Sequence, residues 1–444
     1  MSSSTRDIYF VIGGSGFLGR HIVEALLARG DIVYVFDVVQ RYHDVPFFSG
    51  DISEGEQVAD ALRKSGATCI IHTASPAHGL EDPALYWKVN VDGTRAVISA
   101  AQAVGVRKLV YTSSAGVVFN GQDLINVDER VPYPAKAMDA YNESKAKAEA
   151  MVLEANGVKG LLTVALRPAG IFGPGDRQVM AGLRDVYESN RTHFQVGDNN
   201  NLFDWTYVGN VAHAHLLAAD KLNLEPPSEE LLNHRRNEFS STALPPISVT
   251  TGQHRIPTSE ARPLGPYVTP PPDAEKLESN WRDPDYKASA QRPSRRTRFD
   301  QFSENALERG DAPLSVAGQA FFITNGEPIY FWDLPRLVWS RLDQFRGEHR
   351  TQRKRIVLSR EVGLALAGAA EWWGWLVGKQ PTFTRFRITF SCASRWYNIE
   401  KARRLLGYEP IVGMQEGVDR MLDVLVCFTA KDRHMKVTHL IPFS

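Results

Sequence analysis

Tyr141 and Lys145 stand four residues apart in Y-N-E-S-K, a helical context, so both side chains project from one helix face. Oxidising an alcohol requires a base for the hydroxyl proton, and a free phenol, with a pKa of about 10, is mostly protonated at neutral pH. A neighbouring ammonium favours the phenolate, so Lys145 is expected to lower that value. Ser113 and Ser114 follow the apolar run Lys108–Thr112, where loops at strand C-terminal ends line the sites of parallel sheets. Ser114 suits a hydroxyl that holds the substrate oxygen; Ser113 is expected to satisfy backbone groups at the strand end. Alone the spacing is weak, since exposed helices often carry such a pair.

A cofactor that accepts hydride has its own signature. Gly13, Gly16 and Gly19 form G-x-x-G-x-x-G in V-I-G-G-S-G-F-L-G, directly after the run Ile8–Ile12. A tight turn, close approach to a pyrophosphate and close helix packing each need a residue without a side chain. Gly13, Gly14, Ser15, Gly16, Phe17, Leu18 and Gly19 therefore form the candidate phosphate turn, with helix N–H groups aimed at the phosphates. Asp37 ends the second apolar run, where a carboxylate accepts from the adenosine ribose hydroxyls and repels a 2′-phosphate. With Val38 after it, NAD is favoured, while Arg41 keeps NADP open; the bland reading of Asp37 is a surface turn cap. Asp51 and Ile52 could meet the adenine amino group and ring, or form a plain turn. Thr73, Ala74 and Ser75 complete the candidate cofactor contacts, and Lys145 can also bind the nicotinamide ribose. Asn90, in V-N-V-D-G-T, either binds backbone or water near the catalytic helix or plays a local structural part. His213 and His215, two apart on a helix, face different ways and are read as structural, with no metal site expected.

These residues need a parallel sheet to position them. To about residue 220, short β-branched runs (Ile8–Ile12, 32–36, Cys69–His72, Lys108–Thr112, 162–167) alternate with helical stretches (18–29, 57–65, 89–104, 141–156), the pattern of a doubly wound α/β fold. The division drawn is a dinucleotide-binding and catalytic domain over 1–224, an insertion over 225–313, a substrate lobe over 314–428 and a tail over 429–444. Roughly half of the 25 prolines fall in the insertion, which lacks apolar periodicity and is expected to be mostly disordered, its Arg292, Arg295, Arg296 and Arg298 solvated. Patterning resumes in a strand over 320–324, a helix from Trp332, an apolar segment over 362–378 and a helix over 398–406 stopped by Gly407.

The 51 basic and 51 acidic residues cancel, so no long-range field draws the chain to nucleic acid. Cys69, Cys392 and Cys427 lack any C-x-x-C pairing, which fits a reducing compartment. The first strand is expected almost at the start, leaving no room for a signal peptide's apolar core.

The blocks V-I-G-G-S-G-F-L-G, Y-T-S-S-A-G-V-V-F, Y-N-E-S-K, L-R-P-A-G-I-F-G-P-G-D and D-W-T-Y-V-G-N-V-A-H-A-H together resemble the extended short-chain dehydrogenases, and within them the 3β-hydroxysteroid dehydrogenase group. Through G-Q-A-F-F-I-T-N-G-E-P and N-I-E-K-A-R-R-L-L-G-Y-E-P the likeness is strongest to the fungal branch acting on 4α-carboxysterols. It spans residue 8 to about 222 and about 316 to 423. The resemblance implies a Rossmann-type sheet with a smaller C-terminal substrate lobe, Ser114 orienting the substrate, Tyr141 as general base, Lys145 as its partner, and Arg167, Pro168, Ala169, Gly170 and Ile171 beside the nicotinamide. It further implies NAD(P)-dependent oxidation of a 3β-hydroxyl with loss of the C4 carboxylate as carbon dioxide, since the new ketone lies β to that carboxylate. A triterpenoid dehydrogenase would carry the same motifs.

The segment 362–378 carries Trp372, Trp373 and Trp375 but also Glu371, and falls short of the roughly 20 residues that span a bilayer. A substrate-lobe helix or an interfacial contact is expected, the latter consistent with the cytoplasmic face of the endoplasmic reticulum or a lipid droplet; burial in the lobe would explain the tryptophans as well. A homodimer or association with other sterol C4-demethylation enzymes is compatible with this reading. The rivals are a nucleotide-sugar epimerase or dehydratase, which needs polar groups for a diphosphate sugar, and an NAD(P)-sensing regulator, in which Tyr141 would typically be absent.

Overall fold

Strands buried on both faces need helices on both sides, and the computed structural model has that layering. It describes residues 6–222, 254–255, 267–268, 315–347, 354–378 and 383–423. Seven parallel strands lie in the order Gln319–Ile323, Leu162–Pro168, Lys108–Thr112, Cys69–His72, Ile8–Ile12, Ile32–Asp37 and Phe47–Ser49. Alternation within a strand divides the core between two layers. Phe10 and Ile12 pack with the helices Gly55–Ser65 and Thr94–Val104, whereas Tyr9 and Val11 pack with Phe17–Arg29 and Val208–Lys221. Strand order reverses between Ile8–Ile12 and Cys69–His72, the place where such sheets open a crevice at their C-terminal edge.

The domain division needs correction. Gln319–Ile323, assigned to the substrate lobe, pairs in register with Leu162–Pro168 as the edge strand of the main sheet. A second, four-stranded sheet is assembled from Ile329–Tyr330, Leu202–Phe203, Arg395–Tyr397 and Leu124–Val127, so the smaller layer draws on both halves of the chain. Strands of two to four residues carry too little alternation to be seen in sequence. Of the 225–313 segment only His254–Arg255 and Tyr267–Val268, an antiparallel pair, are described; the expected disorder, the arginine cluster and the 429–444 tail lie outside the described residues.

The apolar segment is a helix, Arg360–Val377, started by the Ser359 hydroxyl accepting from Val362 N–H and ended by Gly378 in a left-handed conformation. Burial does not account for its tryptophans: Trp372, Trp373 and Trp375 are 63%, 59% and 80% exposed, and only Gly363, Ala367 and Gly374 are buried. The small residues make the packed face, which leaves the large apolar ones outside. No helix among the described residues is long and apolar enough to cross a membrane.

The helix Ala140–Glu154 packs on Leu162–Pro168 through a buried ion pair. Arg167 Nε donates to both oxygens of Glu149 at 3.0 Å and Nη2 donates to Oε1 at 2.6 Å, with the Tyr133 hydroxyl also donating to Oε1 at 2.6 Å. Glu149→Gln is expected to destabilise the fold by about 3 kcal/mol, because it strands a guanidinium inside the core; urea denaturation checks this.

Candidate active site

The glycine turn has the shape a dinucleotide needs. Gly13 adopts φ +82°, and a Cβ there would stand 2.7 Å from Ala74 N; one on Gly19 would stand 2.1 Å from the Gly13 carbonyl oxygen. The helix Phe17–Arg29 starts at Gly16 with no side-chain cap, which leaves its first N–H groups for an anion. Asp37 lies at the rim, its Oδ2 accepting from Ser15 N–H at 3.0 Å and its Oδ1 from Val38 N–H at 2.7 Å. Arg41 donates to the Ser15 carbonyl at 3.0 Å and so reaches the same turn. Thr73 ties the end of Cys69–His72 to that of Ile8–Ile12, its hydroxyl donating to the Ile12 carbonyl at 2.9 Å. Each carboxylate oxygen of Asp37 keeps a lone pair for a ribose hydroxyl. The uncapped helix, the side-chain-free cradle and this carboxylate fit a nicotinamide dinucleotide.

Asp51 fits the plain-turn reading better. Its Oδ1 accepts from the Ser53 amide and hydroxyl at 2.9 and 2.8 Å, and Lys88 Nζ lies 3.2 Å from Oδ2. The Ser53 bonds, with Lys88, hold its carboxyl below the usual range. Ile52 is buried against Gly93, where a Cβ would meet its side chain at 2.6 Å. Asn90 is buried in the π-helical segment Trp87–Gly93 and donates to the Ser144 hydroxyl at 2.9 Å, which in turn donates to the Tyr141 carbonyl at 2.8 Å. Pro168, Ala169, Gly170 and Ile171 lead from the main sheet into the strand Gly170–Phe172, which pairs with Trp205–Tyr207. Arg167 itself is withdrawn from the site by Glu149.

Tyr141 and Lys145 share the helix Ala140–Glu154, capped by Asp139 accepting from Asn142 N–H at 2.7 Å. Their mutual influence differs from the expectation. Lys145 is 2% exposed and points to the sheet, donating to the Thr112 carbonyl at 2.5 Å with its ammonium 4.5 Å from the Tyr111 ring centre. Burial drives its pKa down to about 7, partly resisted by Glu149. Tyr141 is pushed up to about 12, first by desolvation and then by the Asp139 charge, while hydrogen bonds with Ser114 and Ser75 pull it back. The serines and not the ammonium oppose that rise, because Lys145 Nζ is turned to Thr112. Ser114 also accepts from Gly116 N–H at 3.0 Å, opening the turn Ala115–Val118. Ser113 does not satisfy the strand end with its side chain; its hydroxyl is buried without a partner, and its amide donates to the Leu166 carbonyl at 2.7 Å.

An aromatic wall that sequence reasoning missed surrounds the phenol. The His78 and Tyr86 rings meet Tyr141 edge-on at 4.8 and 5.5 Å, and His78 contacts Phe386 at 5.4 Å and the Asp139 carboxylate at 3.2 Å. No local spacing marks His78; only the fold brings it against a helix about sixty residues away. His215 is structural, its ring nitrogens 2.7 Å from the Thr112 hydroxyl and 2.8 Å from the Val211 carbonyl, and His213 packs near Tyr408.

A phenol among serine hydroxyls, on a helix beside a dinucleotide-shaped crevice, defines an oxidoreductase of the short-chain dehydrogenase class using a nicotinamide cofactor. Residues 10–237 match the 3-beta hydroxysteroid dehydrogenase/isomerase family, and the chain belongs to it. It is 39% identical to the decarboxylating sterol-4-alpha-carboxylate 3-dehydrogenase of Saccharomyces cerevisiae, over 94% of this chain and 97% of that one. The Mus musculus enzyme of that name is 33% identical over 92% of this chain and 88% of its own. Among solved structures, the UDP-glucose 4-epimerase of Thermus thermophilus in complex with NAD shares the fold, with TM-score 0.54 and 21% identity over 94% of this chain and 98% of that one.

The displaced Lys145 pKa has a measurable consequence. Unfolded, the amine keeps its ordinary value of 10.5, so between about 7 and 10.5 the unfolded chain holds a proton that the folded protein has shed. Stability contributed by this site therefore rises with pH across that window and is lowest below it. Lys145→Met is expected to lose this rise, so that the stability difference between wild type and variant shifts towards wild type from about pH 7 to about pH 10 in urea titrations. Parallel pH profiles would show that the amine is not desolvated.

Proposed function

We propose that this protein oxidises the 3β-hydroxyl of a 4α-carboxysterol to the ketone with loss of the C4 carboxylate as carbon dioxide, using NAD. The observation that carries this reading is the Tyr141 phenol in reach of the Ser114 and Ser75 hydroxyls inside an aromatic wall. The names of the similar yeast and mouse enzymes, matched over nearly their whole length, support the substrate class. Bound at the glycine turn, the nicotinamide supplies a hydride acceptor.

Ser114 holds the substrate oxygen, and Tyr141 takes its proton as the carbon–hydrogen bond breaks. With the phenol raised to about 12, the phenolate that takes this proton is the minor form at neutral pH, and it is regenerated when Tyr141 later donates to the C3 oxygen. Lys145 holds the ribose and fixes the helix against the sheet. The new ketone lies β to the carboxylate. When the C4–carboxyl bond breaks, its electron pair passes to the oxygen at C3, and Tyr141, now protonated, donates to that oxygen. No further base is required. Asp37 supports NAD over NADP, since a 2′-phosphate would meet its carboxylate.

A sterol reaches the crevice from lipid. The exposed face of Arg360–Val377, with Leu366, Trp372, Trp373, Trp375 and Leu376, suits the headgroup boundary, which supports peripheral contact at the cytoplasmic face of the endoplasmic reticulum.

Purified protein given a 4α-carboxy-3β-hydroxysterol is expected to reduce NAD and release carbon dioxide, and Tyr141→Phe to lower turnover at least about 100-fold with dinucleotide binding intact. Unchanged turnover in that variant would remove the mechanism. Replacing Trp372, Trp373 and Trp375 together by serine is expected to abolish co-flotation with phosphatidylcholine vesicles while leaving turnover of detergent-dispersed sterol in place.

A further inference from the structure

Arg395 opens the strand Arg395–Tyr397 of the second sheet and is 6% exposed. Its guanidinium carbon lies 3.8 Å from the Phe390 ring centre, 4.5 Å from that of Phe119 and 4.6 Å from that of Phe203. Nη2 donates at 3.4 Å to the Phe390 carbonyl, and Nε is buried with no partner. Among the described residues no carboxylate forms an ion pair with it. The Tyr397 phenol and, after it, the Asp139 carboxylate act on it through their charge, and that carboxylate is engaged by Asn142 N–H and His78. Aromatic faces stabilise a cation through their quadrupole but do not fill N–H donor directions, so a buried guanidinium held this way retains unmet donors.

The three rings that hold Arg395 also border the site. Phe119 follows the turn opened by Ser114, and Phe390 packs on His78, which packs on Tyr141. Phe203 lies against Gly170, where a Cβ would stand 3.1 Å from its ring. The guanidinium thus stands between the turn carrying Ser114, the Pro168 to Ile171 segment and the wall around the phenol.

We propose that Arg395 is the anion-binding residue of the substrate site, donating to the C4 carboxylate of the sterol and selecting carboxylated over uncarboxylated rings. The inference rests on the sterol-carboxylate reading above and adds to it the residue that recognises the acid. A planar guanidinium with an open Nε edge matches a carboxylate's two oxygens, and in a site screened from water such a charge-assisted pair discriminates strongly against a neutral substituent of similar size. Desolvation, which lowers the Arg395 pKa to about 10, leaves it cationic at neutral pH and gives it reason to favour an anion.

The test is equilibrium binding of two sterols, one with a 4α-carboxylate and one with a 4α-methyl group, to the NAD-loaded full chain. Arg395→Met, similar in bulk and apolar among three rings, is expected to weaken the carboxysterol roughly 10- to 100-fold and to leave the methyl sterol within about twofold. Thermal melting and NAD affinity check that the variant is folded. Should it melt early, Arg395→Lys carries the test: it keeps the charge over the rings but loses the fork, and a smaller loss confined to the carboxysterol is expected. An unchanged preference in a folded variant overturns the assignment, as does equal loss for both sterols. Turnover is read separately: carboxysterol binding that depends on Arg395 with no NAD reduction would sink the proposed reaction while upholding the carboxylate site.

Discussion

The Lys145 ammonium donates to the Thr112 carbonyl above the Tyr111 ring, in a place that water does not reach. A charge in that position is costly unless its surroundings are fixed, because desolvation penalises the protonated form and only geometry compensates. The strand Lys108–Thr112 must end where its last carbonyl turns to the helix, and the helix Ala140–Glu154 must keep one register on the sheet. Asn90 and Ser144 tie that helix to its neighbour, Asp139 caps it, and Glu149, one turn beyond Lys145, pairs with Arg167 beneath it. The same register sets Tyr141 beside Ser114.

Buried cations among the described residues show different solutions to one problem. Arg167 has a carboxylate; Lys145 has a carbonyl and a ring. Lys401 has the Ala320 carbonyl at 3.0 Å and the Phe321 ring at 4.9 Å, which anchor the C-terminal segment to the edge strand of the main sheet. Arg395 has three rings and a long contact to one carbonyl. Arg167, Lys145 and Lys401 join pieces of the fold, although Arg167 Nη1 is left without a partner, whereas Arg395 has no carboxylate beside it to offset its open Nε and lies among rings that border the reaction site. A buried donor left open calls for a completing group, and beside the site a ligand can supply it.

Local requirements were legible. The glycine turn reads directly because each small residue answers a contact within a few residues of chain or with the adjoining strand, as Gly19 against the Gly13 carbonyl shows. The long strands of the main sheet follow from continuous apolar runs, and Gly407, at φ +69°, ends its helix as the sequence suggests. The second sheet was not legible, since Leu202–Phe203 or Ile329–Tyr330 is too short to show a period. The exposure of the tryptophans was hidden too: hydropathy reports that a segment is apolar, not which face finds a neighbour.

Sequence by itself determined the class of fold, the dinucleotide turn and the residue types of the catalytic helix, because backbone sterics and short-range periodicity act between residues close along the chain. Tertiary structure alone decided the electrostatics: that Lys145 turns to Thr112, that serine hydroxyls and an aromatic wall surround Tyr141, and that Arg395 sits among Phe119, Phe203 and Phe390. Desolvation depends on everything packed around a group, and here those neighbours come from stretches far apart along the chain, so no local pattern encodes it.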